Sequence, residues 1–391
     1  PTDFRKFPHW PVSSRPEKKE KENKETVIVR WKRKIGLWMA MLAIPAAAGA
    51  ADLVNPFTES YQEIPMKTTV KEGTLLVSDS PEYPNAAGIL AKGTIKGRGR
   101  IYYYNVNASG APVRLVIYAD NKKNADIQIE RNLTGDGSMD YISTGRTLSY
   151  REATVEAAQP EKIKIKAKKP QILAAASPDP IPDQMLVSGI LEVNTKKPVT
   201  FGIAVLPADA NTEEAEEKAL KDLEVLPADF HNRRGVFPMA IEKENEAPWD
   251  VAERPGSIVI GDGKIDFYYP GYDELDKVNR SNAGNFGMEY DITVHTKGTG
   301  QYRLLFNPLG GIYEGTFTVW EKVIPSVYNI EGHNGYFGNK TIYDVWNMGV
   351  WNAGNDLHIH FTVAGATYLP FRFLLIPVNG DQKAFPAEDK V

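Results

Sequence analysis

Two stretches of this chain read nearly alike, and comparing them decides how the rest is read. From Asn282 the sequence runs NAGNFGMEYDITVHTKGTGQYRLLFNP, and from Asn352 it runs NAGNDLHIHFTVAGATYLPFRFLLIP. With one residue removed after NAGN the two align without a further gap: Val294 matches Val363, Arg303 matches Arg372, and Pro308 matches Pro377. Each copy predicts a strand, a Gly-containing turn and a second strand, an internal supersecondary repeat. A looser third version, RIYYYNVNASGAPVRLVIY, begins at Arg100 and lacks NAGN.

The alignment bears on His358 and His360, which stand two apart and so share one face of a strand, a common way to offer two imidazoles to a metal. In the other copy these positions are Glu289 and Asp291, while Leu357, Ile359, Phe361 and Val363 match Met288, Tyr290, Ile292 and Val294. A period of two then buries the apolar set and turns the histidines outward with the polar one. His333 is the only other nearby ligand by type, so solvated histidines are expected rather than a metal centre.

Outward from the repeat, the pattern after Ala50 is β. Runs such as VRLVIY, ADIQIE, KIKIKA, VTFGIAVL, MEYDITV, YRLLF and GTFTVW alternate with Gly, Asn, Asp and Pro punctuation. SIVIGDGKIDFYY reads as a hairpin turning on Asp262-Gly263. One helix is expected, NTEEAEEKALKDLEVL, capped by Asn211 or Thr212 with acids in its first turn. The fold class is therefore mostly β, as tandem β-sandwich-like domains with one short helical insert. The Pro-rich stretch 174–183 divides a first sandwich (51–173) from a second (184–325), with a C-terminal β unit over 326–391. Just before it, PEKIKIKAKKP alternates lysine with apolar residues, as expected of an edge strand with a solvated lysine face. Binding of an anionic wall polymer there is the functional alternative.

Export is the clearest compositional signal. Arg30, Lys32, Arg33 and Lys34 precede the apolar run Ile35–Ala50, which ends in small residues. That pattern predicts a signal peptide over 29–50 cleaved after Ala50, and the run is shorter than the roughly 20 residues a membrane span needs. No transmembrane segment is expected after cleavage. Residues 1–28, rich in Lys and Glu, are read as an upstream extension, with Val27 or Val29 as the start. The chain has 391 residues and no cysteine, which excludes disulfides, zinc–cysteine sites and cysteine nucleophiles. A formal net charge of −4 gives no case for nucleic acid.

Catalytic templates are absent: there is no G-x-S-x-G, H-E-x-x-H or Walker loop. Asp273, Glu274 and Asp276 are acids that could form a glycosidase pair, but such pairs are defined by separation in space, and solvated loop carboxylates are the plainer reading. NLTGDGSMD offers Asn132, Thr134, Asp136 and Asp140 as oxygen ligands for a structural calcium. Ser143 stands where a calcium loop needs its closing Glu, so a Gly-assisted turn is the stronger expectation. No other cofactor is implied. Tyr336, Phe337, Tyr343, Trp346 and Trp351, set among Gly and Asn, form a candidate sugar-stacking platform, with a sandwich-end core as the plainer reading.

GRIYYYNVNASGAPVRLVIYADN, GSMDYISTGR, VSGILEVNTKKPVTFGIAVLP, NRRGVFP, NPLGGIYEG and LPFRFLLIP together resemble uncharacterised secreted Firmicutes-type proteins known through a copper-amine-oxidase-like N-terminal stalk domain. The resemblance covers about Gly88 to Val378. The stalk itself has no counterpart, since only Asp52–Asn85 lies between the expected signal and the first matching phrase. That stalk is non-catalytic, and the resemblance transfers no catalytic residue. The expectation is an exported, non-catalytic envelope or surface protein that binds wall polymer, glycan or a protein partner. An extracellular polysaccharide hydrolase with a loop carboxylate pair, and a purely structural spacer, are the alternatives.

Overall fold

The two NAGN copies pair with each other. The computed structural model describes residues 52–53, 56–57, 59–156, 159–333, 335–339, 343–378 and 382–383; the expected extension and signal peptide lie outside them. Strand Glu289–Val294 runs antiparallel to Leu357–Thr362 with Asp291 opposite His360. Gln301–Pro308 runs antiparallel to Phe371–Val378 with Leu305 opposite Leu374. Asp291 and His360 are equivalent positions of the two copies, and so are Leu305 and Leu374. A local two-fold axis therefore passes through both pairs and exchanges the copies.

The first strands of the copies lie in a six-stranded sheet and the second strands in a five-stranded sheet. Between them Phe361 from one sheet meets Phe371 and Phe373 from the other, with ring centroids 5.7 and 6.0 Å apart. Leu357, Ile359, Phe361 and Val363 are buried, as are Met288, Tyr290, Ile292 and Val294. The alternation expected from the sequence holds, and the histidines are on the polar face. His360 Nδ1 lies 2.7 Å from Asp291 Oδ1, and His358 stacks on Trp320 at 5.2 Å. Burial lowers the His360 pKa, but the hydrogen bond and charge of Asp291 outweigh it and the net shift is upward.

A third and larger sheet, of ten strands, is built around two long antiparallel strands, Gly88–Val106 and Leu186–Pro207. Leu186–Pro207 continues to Val113–Ala119 with one half and to Ala125–Thr134 with the other. Both faces of the central strand are covered. Tyr102, Tyr104 and Val106 join the core shared with the repeat sandwich, while Ile101 and Tyr103 join a second core. This explains the uninterrupted apolar run IYYYNV, which a half-exposed strand would not tolerate.

The sheet corrects the expected domain division. Strands from 51–173 and from 184–325 belong to this one sheet, and residues 50–391 form one unit. Residues 174–183 are not a linker: Gln171–Ala175 pairs with Val113–Ala119, and Ile181 bridges to Val113. The C-terminal segment is likewise built into both repeat sheets. In the looser third copy, Gly88–Val106 and Val113–Ala119 both pair with Leu186–Pro207 in this single sheet, so it does not reproduce the division of strands seen in the other two. The lysine strand does lie at an edge, since Glu161–Ile165 pairs with Ala125–Thr134 alone.

Two helices are present among the described residues, not one. The expected helix, α2 (Glu213–Asp222), starts as read, with Thr212 Oγ1 accepting the Ala215 N–H. The other, α1 (Tyr141–Thr154), was not expected, because Ser, Thr and a mid-helix Gly weaken its propensity. Tertiary packing overrides that weakness. A Cβ at Gly145 would collide with the Gly365 carbonyl in the turn of the second repeat copy, so glycine permits the close approach. Arg146 pairs with Glu314 at 2.8 Å, and Ser149 Oγ accepts the Thr316 N–H. Neither α1 nor α2 is long and apolar enough to cross a membrane.

SIVIGDGKIDFYY is not a hairpin. Gly256–Ile260 belongs to the five-stranded sheet and Tyr269–Asp273 to the ten-stranded one. Asp262 Oδ1 accepts the N–H groups of Lys264, Ile265 and Asp266, each at 2.9 Å, which closes the crossing turn.

Candidate functional site

A cleft of about 580 Å³ opens where one end of the ten-stranded sheet meets α1 and the repeat turns. Its floor follows from strand register. Asp79 ends strand Thr74–Asp79, Arg233 begins Arg233–Pro238, and the two are direct partners. Their side chains are ion-paired, and Arg233 Nη2 lies 4.0 Å from Glu82. The Arg233 guanidinium also lies over the Phe286 ring at 5.2 Å. Asp140, Tyr141 and Ile142 at the start of α1 supply one wall. Ala283 and Gly284 of the first NAGN and the turn from Gly365 to Leu369 supply another. Both repeat copies thus contribute to the same opening.

Aromatic rings dominate the rim. Tyr83, Tyr268, Tyr336 and Tyr368 line the cleft and are 45, 36, 39 and 57% exposed. Asp79 lies beneath them at 3% exposure, and its Oδ1 is buried without a hydrogen-bond partner. Such an orphaned acceptor costs roughly 1–3 kcal/mol, so it is a place where an incoming donor gains. Burial pushes the Asp79 carboxyl up to about 7, the Arg233 charge and hydrogen bond opposing only part of that rise. Burial also raises Glu82, against the opposing charges of His231 and Arg233.

A pH dependence follows. Between the ordinary 3.8 and about 7, folded Asp79 keeps a proton that the unfolded chain has released. Raising pH through that window therefore removes stability. Asp79→Asn should flatten this fall in a series of thermal melts across the window. Equal slopes in parent and variant would show that the carboxyl does not titrate there.

The residues singled out from sequence scatter. Tyr336 and Asp140 meet in the cleft, the tyrosine hydroxyl donating to Asp140 Oδ1 at 2.9 Å. Phe337 instead packs against Phe306 and Trp346, and Trp346 and Trp351 are half-buried against the main core. Tyr343 makes an edge contact with Phe57 at 4.9 Å. The five aromatics do not form one platform; the core reading accounts for three of them.

Of the oxygens proposed for calcium, those of Asp136 and Asp140 are engaged within the chain. Asn132 and Thr134 close strand Ala125–Thr134, Asp136 pairs with Arg151 at 2.8 Å, and Asp140 caps α1 by accepting the Ser143 N–H. The segment runs from the end of strand Ala125–Thr134, through a bridge at Ser138, to the cap of α1 at Asp140. Glu152, Glu192 and Glu289 gather within 4.8 Å of one another, but the cation among them is the chain's own Arg100. Arg100 Nη2 lies 2.9 Å from Glu192 and 3.1 Å from Glu289, and it also bonds Glu152.

The acids read as a glycosidase pair are structural. Asp273 is fully buried and bonds Arg234 at 2.8 Å, Asp276 bonds Arg234 and Arg280, and Glu274 accepts the Thr94 N–H. The cleft carboxylates, Asp79 and Glu82, were missed because residues from 79 to 368 converge there only through strand pairing. The one local signal is the tyrosine beside an acid in Glu82-Tyr83.

No family model matches the sequence, and no curated protein matches it. Among solved structures the chain has a distant likeness to the 7S globulin of Momordica charantia, at 9% identity and a TM-score of 0.13, covering 76% of this chain and 74% of that one. A salicylate 1,2-dioxygenase variant from Pseudoaminobacter salicylatoxidans gives 10% identity and a TM-score of 0.10, over 71% of this chain and 70% of that one. Likenesses at this level carry no argument for fold or function.

Proposed function

We propose that this chain is an exported, non-catalytic envelope or surface protein that binds glycan, or a glycan-bearing wall polymer, in the tyrosine-rimmed cleft. One observation carries the reading: exposed tyrosine rings surround a buried carboxylate whose Oδ1 has no partner in the protein. Ring faces stack on the apolar faces of sugars, and the carboxylate supplies the directional polar contact that fixes an orientation. The basic and apolar segment expected over 29–50 supports export.

Co-sedimentation of the full chain with peptidoglycan sacculi and a panel of insoluble polysaccharides tests this, with soluble sugar assayed in the same tubes. Saturable pelleting without product is expected. Tyr83→Ala and Tyr368→Ala should each weaken it by about ten-fold, in line with stacking contacts of order 1 kcal/mol. Pelleting that survives both substitutions would place binding elsewhere.

A hydrolase is the second reading, favoured by the buried Asp79 carboxyl raised to about 7 beside Glu82 in one cleft, since a general acid must hold its proton near neutrality. Released sugar that is lost in Asp79→Asn would select it over binding alone. A chain that neither pellets nor releases product would be a spacer or the partner of a protein.

A further inference from the structure

We propose that the ligand of the cleft is cationic: a sugar or short oligosaccharide bearing free ammonium groups, rather than its acylated or acidic counterpart. This rests on the reading of the cleft as a glycan site and adds the charge of the sugar.

The charge inventory is one-sided. Three carboxylates, Asp79, Glu82 and Asp140, line the cleft, and Arg233 is the one cationic side chain among the described residues that line it. Arg233 is already committed, bonded to Asp79, within reach of Glu82 and laid over Phe286. Behind the floor, His231 Nδ1 lies 3.1 Å from Glu82 and 3.4 Å from Asp229. Asp229 in turn accepts the Ser80 hydroxyl and the Glu82 N–H, each at 2.8 Å. Even with His231 charged and Asp79 protonated, Glu82, Asp140 and Asp229 outnumber Arg233 and His231. An anionic ligand would meet uncompensated like charge.

The polar geometry agrees. Once Asp79 is ionised its Oδ1 is an acceptor without a donor, and an ammonium brings three donors and no acceptor. The ring faces add a second attraction. Tyr83, Tyr268, Tyr336 and Tyr368 turn exposed rings to the opening, and a cation over a tyrosine face gains from the ring quadrupole where a neutral sugar does not. Carboxylates on the floor and tyrosines around the rim are the two halves of an ammonium site.

Calorimetric titration of the full chain with a glucosamine tetramer, its fully N-acetylated form, a glucose tetramer and a galacturonate tetramer decides the matter. The free amine is expected to bind at least ten-fold more tightly than the acetylated and glucose forms, with galacturonate weakest. Affinity for the amine should follow a bell in pH that peaks near neutrality, where ionised Asp79 and protonated amine overlap, and should fall on both sides. Asp79→Asn should weaken the amine by about ten-fold and the glucose form by clearly less, since only the amine loses a charged partner. Glu82→Gln should act in the same direction, which keeps the test open if Asp79→Asn does not fold. Equal affinity for amine, acetylated and neutral tetramers would overturn the cationic ligand and leave the glycan cleft standing. Binding of none of the four would overturn both.

Discussion

Replacing Arg100 with methionine should lower the unfolding free energy at neutral pH by roughly 3–5 kcal/mol, the range for removing one partner of a buried ion cluster. Arg100 is fully buried between the ten-stranded sheet, α1 and the six-stranded sheet, and contacts Glu192, Glu152 and Glu289, one from each. Its Nη1 also donates to the Gly287 carbonyl at 3.2 Å and to Thr362 Oγ1 at 3.0 Å. Without it three carboxylates face one another with most of their surface out of water. The sign of the pH response provides a second test. Burial raises Glu152, but Arg100 outweighs burial and the net shift is downward. In the parent this contribution is present above the ordinary carboxylate range and is lost as pH falls through the depressed folded value. In the variant burial and mutual repulsion act alone, so the carboxylates hold protons and acid should relieve the defect. Denaturant titrations near neutrality and near pH 4 would show the gap closing in acid; a neutral-pH loss below about 1 kcal/mol would mean that the cluster behaves as a screened surface pair.

Asp266→Ala should cost a comparable amount, roughly 3–5 kcal/mol, because it strands a buried lysine. Asp266 is 1% exposed and accepts from Lys243 Nζ at 2.7 Å, from the Tyr290 hydroxyl at 2.9 Å and from the Gly261 N–H at 2.8 Å. Asn285 of the first NAGN extends the network, donating to the Tyr290 oxygen at 2.7 Å. Lys243 is itself 3% exposed and, among the described residues, also donates to Thr68 Oγ1 at 3.1 Å. The double variant Lys243→Met/Asp266→Ala should recover part of the loss, since it leaves no unpaired charge behind. A double variant worse than Asp266→Ala by the full cost of Lys243→Met would show independent contributions and reject the pairing.

The Asp266 network also shows why part of the structure could not be read from the chain. GDGKID has the composition of a tight hairpin, and its Asp262 does close a turn on three backbone N–H groups. The strands on either side do not pair with each other, and Asp266 instead binds Lys243 and Tyr290 of the six-stranded sheet. Asp140 gives the same lesson. Local oxygen spacing suggested a calcium loop, whereas the residue caps a helix whose weak propensity is overcome by contacts with Gly365, Glu314 and Thr316.

The sequence by itself determined what depends on short-range periodicity. The alternation of buried and polar residues over Met288–Val294 and Leu357–Val363, the equivalence of the two copies, the edge position of the lysine strand and a cap for α2 at Asn211 or Thr212, which is Thr212, all repeat in the structure. These follow from side chains alternating across a strand and from a local hydrogen bond at a helix start. The tertiary structure alone decided that one sheet runs through both expected sandwich domains, that α1 forms, and that Asp79, Glu82, Arg233 and the rim tyrosines meet. Each depends on strand pairing or packing between residues far apart in the chain. Arg233 opposite Asp79 is the clearest case, because the charge that lines the cleft floor exists only in that register.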